Sequence, residues 1–87
     1  MDENTKKKIL KILSKAKKEN PENPEVSTKD LEEKLNIEDH ELESYIRDLK
    51  WRGDITYDGP ETFEGQDIQI TPKGEKMFKR WIFHFFY

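Results

Sequence analysis

LNIEDHELESYIRDLKWRGDI, residues 35–55, sets Leu35, Ile37, Leu42, Ile46, Leu49, Gly53 and Ile55 at intervals through a mostly charged run. Leu42, Tyr45 or Ile46, and Leu49 recur at helical spacing, which predicts a helix over about 39–52. Gly53 is placed to stop it, because glycine accepts the left-handed backbone found after helix ends. Asn36-Ile37 reads as a tight turn before that helix. Further upstream, STKD (27–30) reads as a capping box. Ser27 would accept from the Asp30 amide, and the Asp30 carboxylate would reach back. It opens a short helix with Leu31 and Leu35 inward. Two short helices joined by a turn of three to four residues form a helix-turn-helix.

Outward from this centre, Ile9, Ile12, Leu13 and Ala16 recur at i, i+3, i+4, i+7, with Leu10 beside them. That predicts an amphipathic helix over about 5–19, capped by Asn4 or Thr5. Asn20-Pro21 ends it, since proline pushes the preceding residue out of the α region. NPENPEV (20–26) is a connector, and Val26 with Ser27 reads as a very short strand. DITY (54–57) and DIQIT (67–71) alternate like two strands, joined through DGPETFEGQ as a long-tipped hairpin. Thr71-Pro72 then opens a last helix, with threonine as cap and proline at its first position. The expected fold class is α+β, a single domain over 1–87 with a three-helix core, a two- to three-stranded sheet and a C-terminal helix.

The apolar-and-glycine frame of 35–55, followed by ITPKGEKMF (70–78), resembles winged helix-turn-helix regulators of the MarR, PadR and ArsR kind over residues 26–78. The resemblance implies a DNA-binding transcriptional regulator. Its base-reading face would be Asp39, His40, Glu41, Glu43, Ser44 and Arg47. Ser27, Thr28 and Lys29 would touch phosphates, and 58–66 would be the wing tip. The sequence departs from the pattern in charge. Glu38, Asp39 and Glu41 open the recognition helix, and Asp58, Glu61 and Glu64 occupy a wing without bases. Strong duplex binders neutralise about six to ten phosphates. Here only Lys29, Lys34, Arg47, Lys50 and Arg52 are available as a clamp. A protein-interaction winged helix that does not bind DNA is therefore the alternative.

Of the 87 residues, 32% are apolar and 40% charged, so few side chains are free for burial. With no cysteine, disulfides, thiolate chemistry and cysteine-ligated zinc are excluded. No apolar run approaches the ~20 residues of a membrane span. The early apolar residues are interleaved with lysines, unlike a signal peptide, so a cytoplasmic protein is expected. The net charge of −3 divides into +4 over 1–20, −6 over 21–50 and −1 over 51–87. The lysines of the first helix read as a solvated face, and His40 as a hydrated histidine. His84 has no second ligand nearby, and Tyr45 and Trp51 read as packing. Nothing supplies a nucleophile, phosphate loop, metal set or cofactor motif, so the expectation is a non-enzyme without cofactors.

The segment WIFHFFY (81–87) holds five aromatics. Phe78, Trp81, Ile82 and Phe85 repeat at helical spacing and are expected to pack on the first helix. Phe83, Phe86 and Tyr87 fall off that face and would expose on the order of 500 Å². The terminal helices commonly form the dimer in the family resembled, which implies a homodimer through this tail. Folding back over the first helix, and a basic amphipathic contact through Lys73, Lys76, Lys79 and Arg80 with a membrane surface, are the other two readings.

Overall fold

The computed structural model of the chain describes residues 3–58 and 67–86, with Asp58 and residues 82–86 described by backbone alone. Within them, helix α1 (Glu3–Glu19) turns Ile9, Leu10 and Leu13 wholly inward and holds Ile12 and Ala16 at the edge of the core. Asn4 and Thr5 lie inside α1 and so do not cap it as expected. Asn20 N–H still reaches Ala16 O at 2.9 Å before the proline connector begins.

Strand β1 (Val26–Ser27) leads directly into α2 (Thr28–Leu35), whose N-cap is Ser27. Its Oγ accepts the Asp30 N–H at 3.2 Å, as the capping signal predicts. Asn36 takes the left-handed conformation at φ 54, and the Ile37 N–H turns back to Glu32 O at 3.3 Å. Helix α3 (Asp39–Trp51) buries Leu42, Tyr45, Ile46 and Leu49. Its end is a Schellman motif: Gly53 (φ 81) donates to Lys50 O at 2.9 Å, and Asp54 donates to Leu49 O at 3.0 Å. Asp54 is thereby taken up by the helix end, which is why strand β2 (Ile55–Asp58) starts one residue later than its alternation suggests.

Strand β3 (Asp67–Ile70) is central in an antiparallel sheet of order β1-β3-β2. Ile55 faces Ile70, and Ile68 stands between Tyr57 on one side and Val26 on the other. Val26, Ile55, Ile68 and Ile70 are all buried, forming the sheet's side of a core completed by α1, α2 and α3. Helix α4 (Pro72–Phe86) packs along α1 and sets Phe78 and Trp81, both half-buried, against that core. Lys17 and Glu75 join the two helices at 3.2 Å, and Lys7 Nζ lies 5.5 Å from the Trp81 ring centroid. Among the described residues the architecture is thus α+β, four helices with a small three-stranded sheet. Of the expected wing tip, 58–66, residues 59–66 lie outside the described residues, as do the side chains of Ile82, Phe83, Phe85 and Phe86 and the whole of Tyr87.

One contact ties the last helix to the end of α3. Thr71 N–H donates to Asp54 O at 3.0 Å, and Thr71 Oγ1 donates to Gly53 O at 2.5 Å. The same oxygen accepts the Gly74 N–H at 3.0 Å and so caps α4. Lys73 Nζ adds a bond to Arg52 O at 2.6 Å. The approach is close enough that a Cβ on Gly74 would stand 2.1 Å from Asp54 O and 2.9 Å from Ile70 Cγ1. Gly74→Ala is therefore expected to cost about 1–3 kcal/mol by overpacking against backbone. Each kcal/mol is worth about 4–8 °C of Tm in a domain of this size, read by thermal circular dichroism. Gly53→Ala is expected to lose about 1–2 kcal/mol through its left-handed φ, and Gly53→Asn less, since asparagine tolerates that region.

Candidate functional site

Because Leu42, Tyr45, Ile46 and Leu49 fill the inner face of α3, its outer face carries His40, Ser44, Arg47, Lys50 and Trp51, with Glu43 at the flank. Several of these groups are already engaged. Ser44 Oγ donates to His40 O at 3.2 Å. His40 Nδ1 lies 3.5 Å from Glu38 Oε2, an ion pair only when the imidazole is protonated. Arg47 donates to Glu43 Oε1 at 2.6 Å across one helical turn. The exposed acids Asp39 and Glu41 sit in the first turn of α3, where negative charge favours the helix by complementing its dipole.

The residues expected to touch phosphate lie at the other helix. Ser27 is half-buried and committed to its cap, Thr28 is only 3% exposed, and Lys29 is exposed. Burial takes the Thr28 side chain away from the surface role the resemblance implies. Arg52 points inward as well, with Nε 3.6 Å from Oδ2 of the fully buried Asp54. Arg47 and Lys50 are brought together, with two partners the sequence reading did not include. They line an open pocket of about 300 Å³ with Trp51 and Tyr57. Lys50 Nζ lies 3.8 Å from the Tyr57 ring centroid, a cation–π contact that fixes the ammonium beside the pocket.

Trp51 is 89% exposed, which corrects its reading as a packing residue. The signal was available: at about 100° per residue, position 51 falls roughly 180° from Leu42, on the solvent side of the same helix. Tyr57 had no equivalent signal, because its neighbour Lys50 reaches it from a different element.

Helices α1 and α3 are also joined by an ion pair the sequence did not reveal. Lys6, read as part of a solvated lysine face, is only 6% exposed. Its Nζ lies 2.5 Å from Asp48 Oδ2 and 3.5 Å from Glu3 Oε1. The close polar contact with Asp48 raises the lysine pKa above its usual 10.5 against the opposing pull of burial, and the charges of Asp48 and Glu3 add to the rise. The sign follows from linkage. Below 10.5 the lysine is protonated in both the folded and unfolded chain, and the pair contributes in full. As pH climbs past that value the unfolded chain gives up its proton first, so the contribution declines until the folded lysine also titrates.

Among the described residues, no cluster of three or more His, Asp or Glu is arranged to hold a metal ion, and no helix is long and apolar enough to cross a membrane. Comparison with protein-family models, with curated proteins and with solved structures finds no match. The ion pair is open to a direct test. Asp48→Asn is expected to cost about 1–2 kcal/mol at neutral pH, less than the 3–5 of a wholly buried pair because Asp48 is 28% exposed. In chemical denaturation at stepped pH, the gap between the variant and the parent should narrow above pH 10.5, as Lys6 loses its charge.

Proposed function

We propose that the chain is a winged-helix domain of the MarR, PadR and ArsR kind that binds DNA through α3 as a transcriptional regulator. The order helix, strand, helix, helix, strand, strand, helix, with β3 between β1 and β2, supports the fold half of this reading. Binding rests chiefly on one observation: Arg47 and Lys50 converge with Trp51 and Tyr57 on the outer face of the second helix of the helix-turn-helix. Lys29, exposed at the start of α2, is the third cation suited to a phosphate. So short a clamp implies weak binding with a shallow salt dependence, roughly two to four released counterions against the six to ten of a strong site.

A second reading, a protein-interaction module, is favoured by the acids. Glu43 already neutralises Arg47 at 2.6 Å, and Glu38, Asp39 and Glu41 would repel phosphates entering along the first turn of α3. Titration of mixed-sequence duplex DNA at ~50 mM salt separates the two. On the DNA reading, Lys29→Ala weakens all sequences alike, Arg47→Ala relaxes sequence preference, and Glu43→Gln tightens binding by freeing Arg47. Absence of duplex binding at that salt leaves the interaction module.

The tail completes the proposal as a homodimer seam. The face of α4 bearing Phe78 and Trp81 is occupied by the chain's own core, and in the sequence Phe83, Phe86 and Tyr87 fall off the helical spacing of that face. A two-fold pairing through them would align two α3 helices on half-sites. After the cost of association, on the order of 500 Å² per partner supports micromolar affinity. Sedimentation at ~100 µM should find a dimer, and a chain ending after Ile82 should be a cooperatively folded monomer. A full-length monomer at that concentration removes the dimer.

A further inference from the structure

We propose that the pocket at the C-terminal end of α3 is a stacking site for one unpaired base of a DNA strand, so that the domain prefers a duplex with a single-stranded overhang to a blunt one. This rests on the DNA reading above and specifies its substrate.

The residue that demands an account is Trp51. An indole left 89% exposed on a rigid helix keeps a large apolar face in water, where burial would be worth about 25 cal/mol per Å². Among the described residues nothing covers it. The neighbours say what would. Arg47 stands one turn back on the same face, where side chains at i and i+4 are adjacent, and Lys50 lies beside it. Lys50 is not a free tether: with its ammonium 3.8 Å from the Tyr57 centroid, it holds a fixed positive charge at the pocket wall. Arg47 spends one N–H group on Glu43 and keeps others in its guanidinium fork to donate. A flat open ring flanked by two positioned cations is complementary to a flat ring that carries a flanking phosphate on either side. An unstacked nucleotide has that shape and charge, and aromatic platforms beside basic groups are how single strands are held without sequence preference.

Two alternatives fit less of the pocket. An acidic peptide would satisfy Arg47 and Lys50 but bring no matching surface to the indole. A fully paired duplex would offer phosphates but keep its bases stacked within the helix, so Trp51 could meet only an end. The acids of the first turn of α3 also confine the favourable potential to this end of the helix, which suits a contact one or two nucleotides long better than a continuous duplex track.

The test uses the full chain and labelled short DNAs, read by anisotropy at ~50 mM salt: a blunt duplex, the same duplex with a single-stranded overhang, and the overhang strand alone, with polyglutamate as competitor. The overhang duplex is expected to bind more tightly than the blunt one. Trp51→Ala should weaken it on the order of tenfold, well beyond any loss of blunt-duplex binding, and Trp51→Phe should restore most of the loss. Lys50→Ala should weaken both duplexes and lower the salt slope by about one. Trp51 is exposed, so the substitutions leave the core intact, and an unchanged melting temperature confirms it. Equal binding of blunt and overhang duplexes, with no effect of Trp51→Ala, overturns the stacking site and leaves the DNA reading standing. Competition by polyglutamate that depends on Trp51 overturns it in favour of an acidic peptide. Failure to bind any of the DNAs overturns both.

Discussion

The hydroxyl of Thr71 fixes the geometry on which the outer face of α3 depends. It donates to Gly53 O and accepts from Gly74 N–H, while the Thr71 amide holds Asp54 O, so one residue closes α3, registers β2 and starts α4. Trp51 and Tyr57 lie on either side of the turn it clamps. The turn is a Schellman ending that needs the left-handed backbone of Gly53, and it is roofed by a helix that can approach only because Gly74 has no Cβ. With the turn held at both ends, the lysine at the end of α3 meets the tyrosine of β2 at 3.8 Å without help from a large core. The pocket is therefore a consequence of how the helix stops, and its precision is inherited from backbone hydrogen bonds.

Charge serves structure and recognition in opposite directions along the same helix. Acids in the first turn of α3 are each worth about 0.3–1 kcal/mol to the helix through its dipole. In so small a domain such increments matter, since total stability is typically only 5–15 kcal/mol. The same carboxylates subtract from any affinity for phosphate. The Arg47–Glu43 bond expresses the compromise: an exposed i, i+4 pair stabilises the helix by about 0.3–0.5 kcal/mol and partly masks the cation. What remains for an anionic partner is concentrated at the opposite end, where Lys50 in the last turn also complements the dipole. A ligand would thus be read at one end of α3 and repelled along the other.

Local signals in the sequence were strong enough to place the elements. Leu42, Ile46 and Leu49 marked α3, Ser27 marked the start of α2, Gly53 ended α3 and Thr71 capped α4, each by chemistry acting within a few residues. The alternation of Ile55, Ile68 and Ile70 gave the buried face of the hairpin. What was not legible joins distant parts of the chain. Lys6 continues the buried stripe of α1, at i−3, i−4 and i−7 from Ile9, Leu10 and Leu13, whereas Lys8 and Lys11 fall outside it, but no spacing within α1 announces that Asp48 meets it from another helix. Thr28 disappears under its neighbours even though a helix N-terminus is ordinarily accessible. Trp51 departs from expectation for a different reason: tryptophan usually packs, but helical phase puts this one outside.

Asp54 combines a costly side chain with a backbone that the turn requires. Its carboxylate is fully buried, neither oxygen has a hydrogen-bond partner among the described residues, and Arg52 approaches only to 3.6 Å. Such a group is expensive to desolvate and would be expected to lose to an apolar side chain of similar volume on stability alone. Its backbone, however, is indispensable at this point, donating to Leu49 O and accepting from Thr71 N–H. Its carboxylate approaches Arg52, which helical phase sets about 140° from Arg47, off the α3 face that Arg47 and Lys50 share. Arg47 and Lys50 thus stand beside the indole as a compact pair of cations. A broad surface would favour any polyanion, whereas two charges beside one ring favour a ligand in which charge and ring come together. The buried aspartate holds the turn beside that pair through its backbone bonds, while its carboxylate goes without a hydrogen bond among the described residues.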